Sequence, residues 1–391
     1  MSSSLPSDPV ELDPGALLGR AAALAARGRG AVEPNPCVGA LALCGDRVVG
    51  EGWHARYGGA HAEERALEDA FAHGAEPDTL VVTLEPCSSI GPNKKRPPCT
   101  QLLIDAGIER VLIGARDSDP RHEGKGFATL AAAGIAVDGP FDLPVLDDLL
   151  CRFRLELLRS RPWVLAKWAM TLDGKTATRT GSSQWISDEH SLGYAHELRA
   201  SCDALVVGIG TALADDPELT TRRFPGPTPL RVVVDPEAAL PTRARLLATT
   251  RAGPVRVFVA KDSSEAARAA LVAAGAEVVP ITPARYPGAS RPGLDLPEML
   301  RSLHADGCRR VVVEGGGGLV ADLLHAGCLD QVEAVVAAKL CGGRSAKSPV
   351  AGLGIAEMAD AVELSDTYLR SIGRCWLFGG FLDASVDGSC A

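Results

Sequence analysis

Aromatic residues are few in this chain, with five Trp, four Tyr and eight Phe making up 4% of 391 residues. The scarcity does not point to disorder, because 46% hydrophobic and 23% charged residues are ordinary for a folded globular protein. Positive charge is also short. A formal net charge of -9 argues against a protein that grips nucleic acid through its phosphates, although local basic residues could still hold a small anion. No apolar run reaches the roughly 18 residues of a membrane span. The segment 1–15 lacks a basic start and an apolar stretch, so the cytoplasm is the expected location, with no nucleic-acid or membrane partner. Eleven cysteines have no regular spacing, which reads as reduced thiols with a metal site among them rather than a disulfide framework.

The length, at roughly 150 residues per domain, suggests two or three domains, and two are expected. Residues 16–27 have a helical pattern stopped at Gly28, which suits a C-cap. Strands at 38–43 and 47–49 flank a Gly45-Asp46 turn. A helix at 62–73, a strand at 79–84, a helix at 101–106 and a strand at 110–114 follow. This alternation predicts a mainly parallel sheet covered on both faces. A leucine-rich helix over about 142–162 closes the first domain. Strands at 164–169, 204–208, 230–234, 255–260 and 310–314 then begin a second α/β domain. The expected division is a flexible N-terminus 1–15, a first domain 16–150, a second domain 162–382 and a flexible tail 383–391.

In the first domain His61-Ala62-Glu63 opens a helix, Cys87 follows a strand, and Cys99 opens the next helix. One imidazole and two thiolates are good ligands for zinc, and three protein ligands leave a fourth position for water. Glu63 shares a helical stripe with Ala66, Leu67 and Ala70, so its carboxylate is expected to face the core while Glu64, Arg65, Glu68 and Asp69 turn away. An inward carboxylate beside three zinc ligands suits hydrolytic deamination, in which it carries protons from water to the leaving ammonia. His61 and Glu63 are two residues apart and cannot share a face of a regular helix, so His61 is expected at or before the first turn. Two other readings stand beside this one: a closed structural zinc with Cys37 as fourth ligand, and a non-catalytic zinc scaffold. Cys44, Cys151, Cys202, Cys308 and Cys328 read as small buried hydrophobes.

The segments Pro34-Asn35-Pro36-Cys37-Val38-Gly39-Ala40, Gly52-Trp53-His54, His61-Ala62-Glu63, Thr83-Leu84-Glu85-Pro86-Cys87 and Pro97-Pro98-Cys99-Thr100 resemble the bifunctional riboflavin-biosynthesis deaminase/reductase family. Its reductase half is matched in order by the run from Lys167 to Lys175, Gln184-Trp185-Ile186, Gly208-Ile209-Gly210-Thr211, the run from Leu213 to Pro217, and Val313-Glu314-Gly315-Gly316. The resemblance covers about residues 16 to 380. It implies an α/β protein with a cytidine-deaminase-like three-layer α/β/α domain first and a dihydrofolate-reductase-like α/β domain second. It also implies Zn2+ and NADPH as cofactors and a small phosphorylated pyrimidine as substrate. A homo-oligomer is expected.

By the same resemblance, Asn35 and His54 line the deaminase pocket. Ala169, Trp185, Thr211, Asp215 and Gly316, Gly317 and Gly318 contact NADPH, while Lys167, Ser183, Arg199, Leu219, Arg222 and Glu314 meet the substrate. Arg199 and Arg222 suit its phosphate by their forked donors. Lys167 is placed to polarise the sugar carbon that receives hydride. From the residues alone, Glu314-Gly315-Gly316-Gly317-Gly318 before a helix at 319–325 allows a diphosphate to approach closely, or is a plain turn, and it does not fit G-x-G-x-x-G. The chain departs from the family pattern in two places. Eleven residues separate Cys87 and Cys99 where about eight are usual, and Pro236 stands where a small polar residue is frequent. Lys94, Lys95 and Arg96 in the longer loop form either a phosphate grip or a solvated charge run, and a weakened deaminase beside a working reductase is a further reading.

Overall fold

The computed structural model describes residues 13–88, 97–141, 143–224, 227–289 and 292–382. The expectations for most of the N-terminus, for the tail 383–391 and for Lys94, Lys95 and Arg96 lie outside the described residues. The chain divides into two compact units, Met1–Arg159 and Ser160–Ala391.

In the first unit Asp13 caps α1 (Pro14–Ala25), accepting from the amides of Gly15 and Ala16, with proline at the first helical position. The chain continues through β1 (Gly39–Cys44), β2 (Arg47–Trp53), α2 (Ala62–Ala72), β3 (Thr79–Leu84), α3 (Cys99–Asp105), β4 (Arg110–Ala115), α4 (Lys125–Ala132), β5 (Ala136–Asp138) and α5 (Pro144–Leu157). The sheet order is β2-β1-β3-β4-β5. Alternation along β1 sends Ala40 and Ala42 towards α2, α3 and α4, and sends Leu41 and Leu43 towards α1. Three layers result.

The sheet is more mixed than the alternation of elements suggests. β1 runs antiparallel to both β2 and β3, and only β3, β4 and β5 are mutually parallel. The two-residue turn at Gly45-Asp46 forces the first reversal. The crossover through α2 then returns β3 in the direction of β2, and so against β1. Gly28 also has a different role from the expected helix cap. Positive φ belongs to Gly30, whereas a Cβ on Gly28 would stand 2.4 Å from the carbonyl oxygen of His54. Cys44 is exposed and Cys151 half-buried, unlike Cys202, Cys308 and Cys328, which are buried.

The second unit contains β6 (Trp163–Thr171), α6 (Glu189–Ala200), β7 (Ala204–Gly208), α7 (Ile209–Asp215), β8 (Leu230–Val234), α8 (Arg245–Ala248), β9 (Val255–Ala260), α9 (Glu265–Ala273) and β10 (Glu277–Ile281). A small ribbon follows, β11 (Pro283–Ala284) with β12 (Gly293–Leu294), and then α10 (Leu296–Ala305), β13 (Arg310–Glu314), α11 (Gly317–His325), β14 (Gln331–Ala337), β15 (Leu364–Ile372) and β16 (Cys375–Leu382). The main sheet has the order β10-β9-β8-β7-β13-β6-β14-β16-β15. It is parallel from β10 to β14, and β16 and β15 add antiparallel strands at one edge. Val164 and Ala166 pack on the face covered by α10 and α11, while Leu165 packs on the opposite face with Leu198 of α6.

Candidate active sites

His61 is the N-cap residue of α2, with extended backbone (φ -75°, ψ 166°) and no capping bond from its side chain. This frees the imidazole to turn towards Cys87, three residues beyond β3, and Cys99, the first residue of α3. One ligand atom from each of the three lies within 4.8 Å of the other two. His61 Nδ1 is 3.1 Å from Cys99 Sγ and 3.8 Å from Cys87 Sγ, and the Cys99 amide donates to Cys87 Sγ at 3.4 Å. The Cys87 thiol is pushed well down by the hydrogen bond from Cys99 and by His61, and the same bond and burial push Cys99 up. One shared thiolate beside an imidazole is a donor set that fits zinc. Among the described residues this trio excludes Cys37, which packs with Ala22, Ala25, Val32 and Leu146.

Close packing brings α2 to this place. A Cβ on Gly50 would meet the Ala66 carbonyl oxygen at 2.2 Å, and one on Gly52 would meet that of Ala62 at 2.3 Å. The helix therefore lies against bare backbone of β2, and its small residues Ala62, Ala66 and Ala70 are buried with Glu63. Glu63 is 3% exposed, its carboxyl has Cys99 within hydrogen-bond reach, and its Oε2 has no partner. Burial raises its pKa.

His54 lies beside the trio, its ring 5.4 Å from that of His61 in a T-shaped arrangement. Its Nδ1–H donates to the Ala60 carbonyl at 2.9 Å, and its Nε2 accepts from Asn35 Nδ2 at 3.2 Å. Burial lowers its pKa to about 4, so the ring is neutral near pH 7. The Asn35 amide is thereby oriented by its nitrogen. Glu85, two residues before Cys87, accepts from the amides of Asp117, Gly124 and Gly126 at 3.1, 3.0 and 2.7 Å, tying the chain around 117–126 to the end of β3.

In the second unit, Lys167 of β6 pairs in register with Glu314 of β13. Arg199 of α6 holds Glu314 by two bonds, Nε to Oε1 at 3.0 Å and Nη2 to Oε2 at 2.6 Å, and its Nη1 donates to the Thr220 carbonyl at 3.4 Å. The fork expected to hold phosphate is thus engaged by a carboxylate. Arg222 is the more open guanidinium, half-exposed with Glu218 3.8 Å away. Leu219 is buried with positive φ, 57°, between Thr220 and the strained Asp216 (φ 39°). Burial lowers the pKa of Lys167, while Glu314 opposes that effect.

Thr211 at the start of α7 stands against Gly315 and Gly316, whose hypothetical Cβ atoms would lie 3.3 and 3.1 Å from its Oγ1. Both glycines have positive φ, and α11 begins at Gly317, two residues before the expected start. Gly317 packs against backbone at 348–351, whereas nothing stands within 4 Å of a Cβ on Gly318. Asp215 is exposed at the end of α7, and Ala169 packs with Tyr194 and Val335. Ser183 and the exposed Trp185 belong to the segment before α6, where the Trp185 carbonyl accepts from Lys339 Nζ at 2.6 Å.

Residues 162–378 match the RibD C-terminal domain family, and residues 16–115 match the cytidine and deoxycytidylate deaminase zinc-binding region. The riboflavin biosynthesis protein RibD of Bacillus amyloliquefaciens is 38% identical over 354 residues, covering 90% of this chain and 91% of its own length. The chain belongs to the RibD family. The RibD protein of Aquifex aeolicus is 35% identical, covering 90% of this chain and 94% of its own. Among solved structures, RibD of Acinetobacter baumannii aligns with a TM-score of 0.66 at 28% identity, covering 94% of this chain and 98% of that one. As a RibD-family protein the chain is a bifunctional enzyme of riboflavin biosynthesis, a zinc-dependent deaminase joined to an NADPH-dependent reductase. Among the described residues no helix is long and apolar enough to cross a membrane.

Three further residues in this RibD chain escaped sequence reasoning. Glu85 stood inside a recognised motif but carried no role there. His196 lies one helical turn before Arg199, is 4% exposed, and has an unpartnered Nδ1. The spacing of three from Arg199 was its available signal. Glu333 had none, because only the register of β14 brings it beside Lys167.

Proposed function

We propose that residues 16–150 hydrolytically deaminate 2,5-diamino-6-(5-phosphoribosylamino)pyrimidin-4-one, and that residues 162–382 reduce the ribosyl chain of the product to give 5-amino-6-(5-phosphoribitylamino)uracil. The observation that carries this reading is Glu63, a buried carboxylate with an unpartnered oxygen beside a three-donor cluster. His61, Cys87 and Cys99 would hold zinc, which would supply a water of lowered pKa near neutral pH. Glu63 would take a proton from the attacking water at its carboxylate and deliver protons to the amino nitrogen. The ring carbon gains oxygen, its C–N bond breaks, and ammonia leaves. Asn35 and His54 hold the heterocycle, the amide oxygen of Asn35 accepting from it.

NADPH supplies the hydride of the second reaction. Thr211, Asp215, Gly316, Gly317 and Gly318 would hold it with Ala169 and Trp185, and the space beside Gly318 is open. Lys167 polarises the sugar carbon that accepts hydride, and Glu314, fixed by Arg199, orients the sugar. Ser183, Leu219 and Arg222 complete the substrate site, with Arg222 on the phosphate. Incubation with the diaminopyrimidine phosphoriboside tests the whole reading: ammonia is released without NADPH, and NADPH is oxidised only after deamination. Ammonia release without any subsequent NADPH oxidation would remove the reductase half, and the absence of both would remove the reading.

A homo-oligomer in the cytoplasm completes the proposal. Leu369, Trp376 and Phe378 form an exposed apolar stripe on the edge strand β15 and its neighbour β16, with Leu369 directly opposite Phe378. Light scattering should give a multiple of the chain mass, and cell fractionation should place the activity in the cytosol.

A further inference from the structure

We propose that Glu333 is a positioning residue of the reductase, a buried carboxylate that flanks Lys167 on the side opposite Glu314 and holds its ammonium charged and directed. Lys167 of β6 is in register with Glu314 of β13 on one side and with Glu333 of β14 on the other. Partners directly opposite on neighbouring strands share a sheet face at about 5 Å, so the three side chains form one row across the sheet.

The charges in that row are not equally available. Glu314 is already matched by the two hydrogen bonds from Arg199. Glu333 is 0% exposed, and its partners are mostly neutral donors. Tyr194 of α6 donates to Oε2 at 2.5 Å and Tyr368 of β15 donates to Oε1 at 2.6 Å, while Gln331 Nε2 in turn donates to the Tyr368 oxygen at 2.8 Å. Arg370 is 3.8 Å away, but its side chain is 46% exposed and screened by water. Glu333 is therefore a second interior counter-charge for Lys167, beside Glu314.

A buried carboxylate is costly where an apolar residue would pack. Its place beside a half-buried lysine gives it a use beyond anchoring the sheet edge. The groups facing Lys167 are Glu314, Arg199 and Glu333. Those facing Glu333 are Tyr194, Tyr368, Arg370 and Lys167. Burial lowers the pKa of Lys167, and Glu314 and then Glu333 oppose that effect, so loss of the Glu333 carboxylate removes part of the support and lets the ammonium deprotonate at lower pH.

The inference rests on the proposed role of Lys167, and the test separates the two. Reductase kcat/KM is measured against pH, with deaminated substrate, for the full chain, Glu333→Gln, Glu333→Asp and Lys167→Met. The alkaline limb should move down by about 1 pH unit in Glu333→Gln and by less in Glu333→Asp, which keeps the charge but withdraws it. Lys167→Met should lose activity at every pH. An unmoved limb in Glu333→Gln, with or without a uniform loss of rate, overturns the proposal. Should that chain not fold, an unmoved limb in Glu333→Asp does the same. A wild-type profile in Lys167→Met overturns the proposal together with the role of Lys167.

Discussion

On α2, Arg65 and Glu68 are exposed and Glu64 and Asp69 half-buried, whereas Glu63 turns inward with Ala66 and Leu67. A carboxylate in that position needs either a partner or a task, and Oε2 has no partner. Its neighbour Asn35 is also tested at this scale. Replacement by Ala removes the donor to His54 Nε2 and leaves a buried acceptor unsatisfied, which costs about 1–3 kcal/mol. Asn35→Ala is expected to raise the KM of deamination more than it lowers kcat, and to lower the thermal stability of the first unit, as read by steady-state kinetics and calorimetry. Unchanged KM would remove Asn35 from the pocket.

The element that matters most for the zinc site is the pairing of α2 with β2. Any Cβ on Gly52 would lie 2.3 Å from the Ala62 carbonyl oxygen and 2.4 Å from the Ala66 amide nitrogen, both backbone atoms that cannot swing aside. Gly52→Val should therefore displace α2, carry His61 and Glu63 out of place, and lower zinc content together with stability by a few kcal/mol, of the order known for overpacked interiors at about 1–3 kcal/mol. Metal analysis and a melting curve check both. On α6, burial lowers the pKa of His196 from 6.5 to about 4. The unfolded chain then binds the proton more readily between those values, so the stability of the second unit falls as pH drops from 6.5 towards 4. In His196→Asn that part of the acid sensitivity should vanish in denaturant titrations. The phase of Glu63 was legible in the sequence because helical period is local. The mixed sheet of the first unit was not, since strand direction follows from a hairpin and a crossover acting together. The row through Lys167 was only half legible, because a register between strands far apart in sequence is set by packing.

At the scale of the whole molecule, the proposed zinc donors belong to one unit and Lys167, Arg199 and Glu314 to the other. Chelation of zinc should therefore abolish ammonia release and leave the rate of NADPH oxidation on deaminated substrate unchanged. Parallel loss of both would contradict the division of labour. The central claim, that a zinc centre with Glu63 as proton carrier performs the deamination, is tested most directly by Glu63→Gln with zinc content and both activities measured on the same preparation. The expected result is zinc retained, reductase intact, and deamination lowered by about 10²–10⁴-fold. Zinc retained with deamination undiminished would contradict the claim.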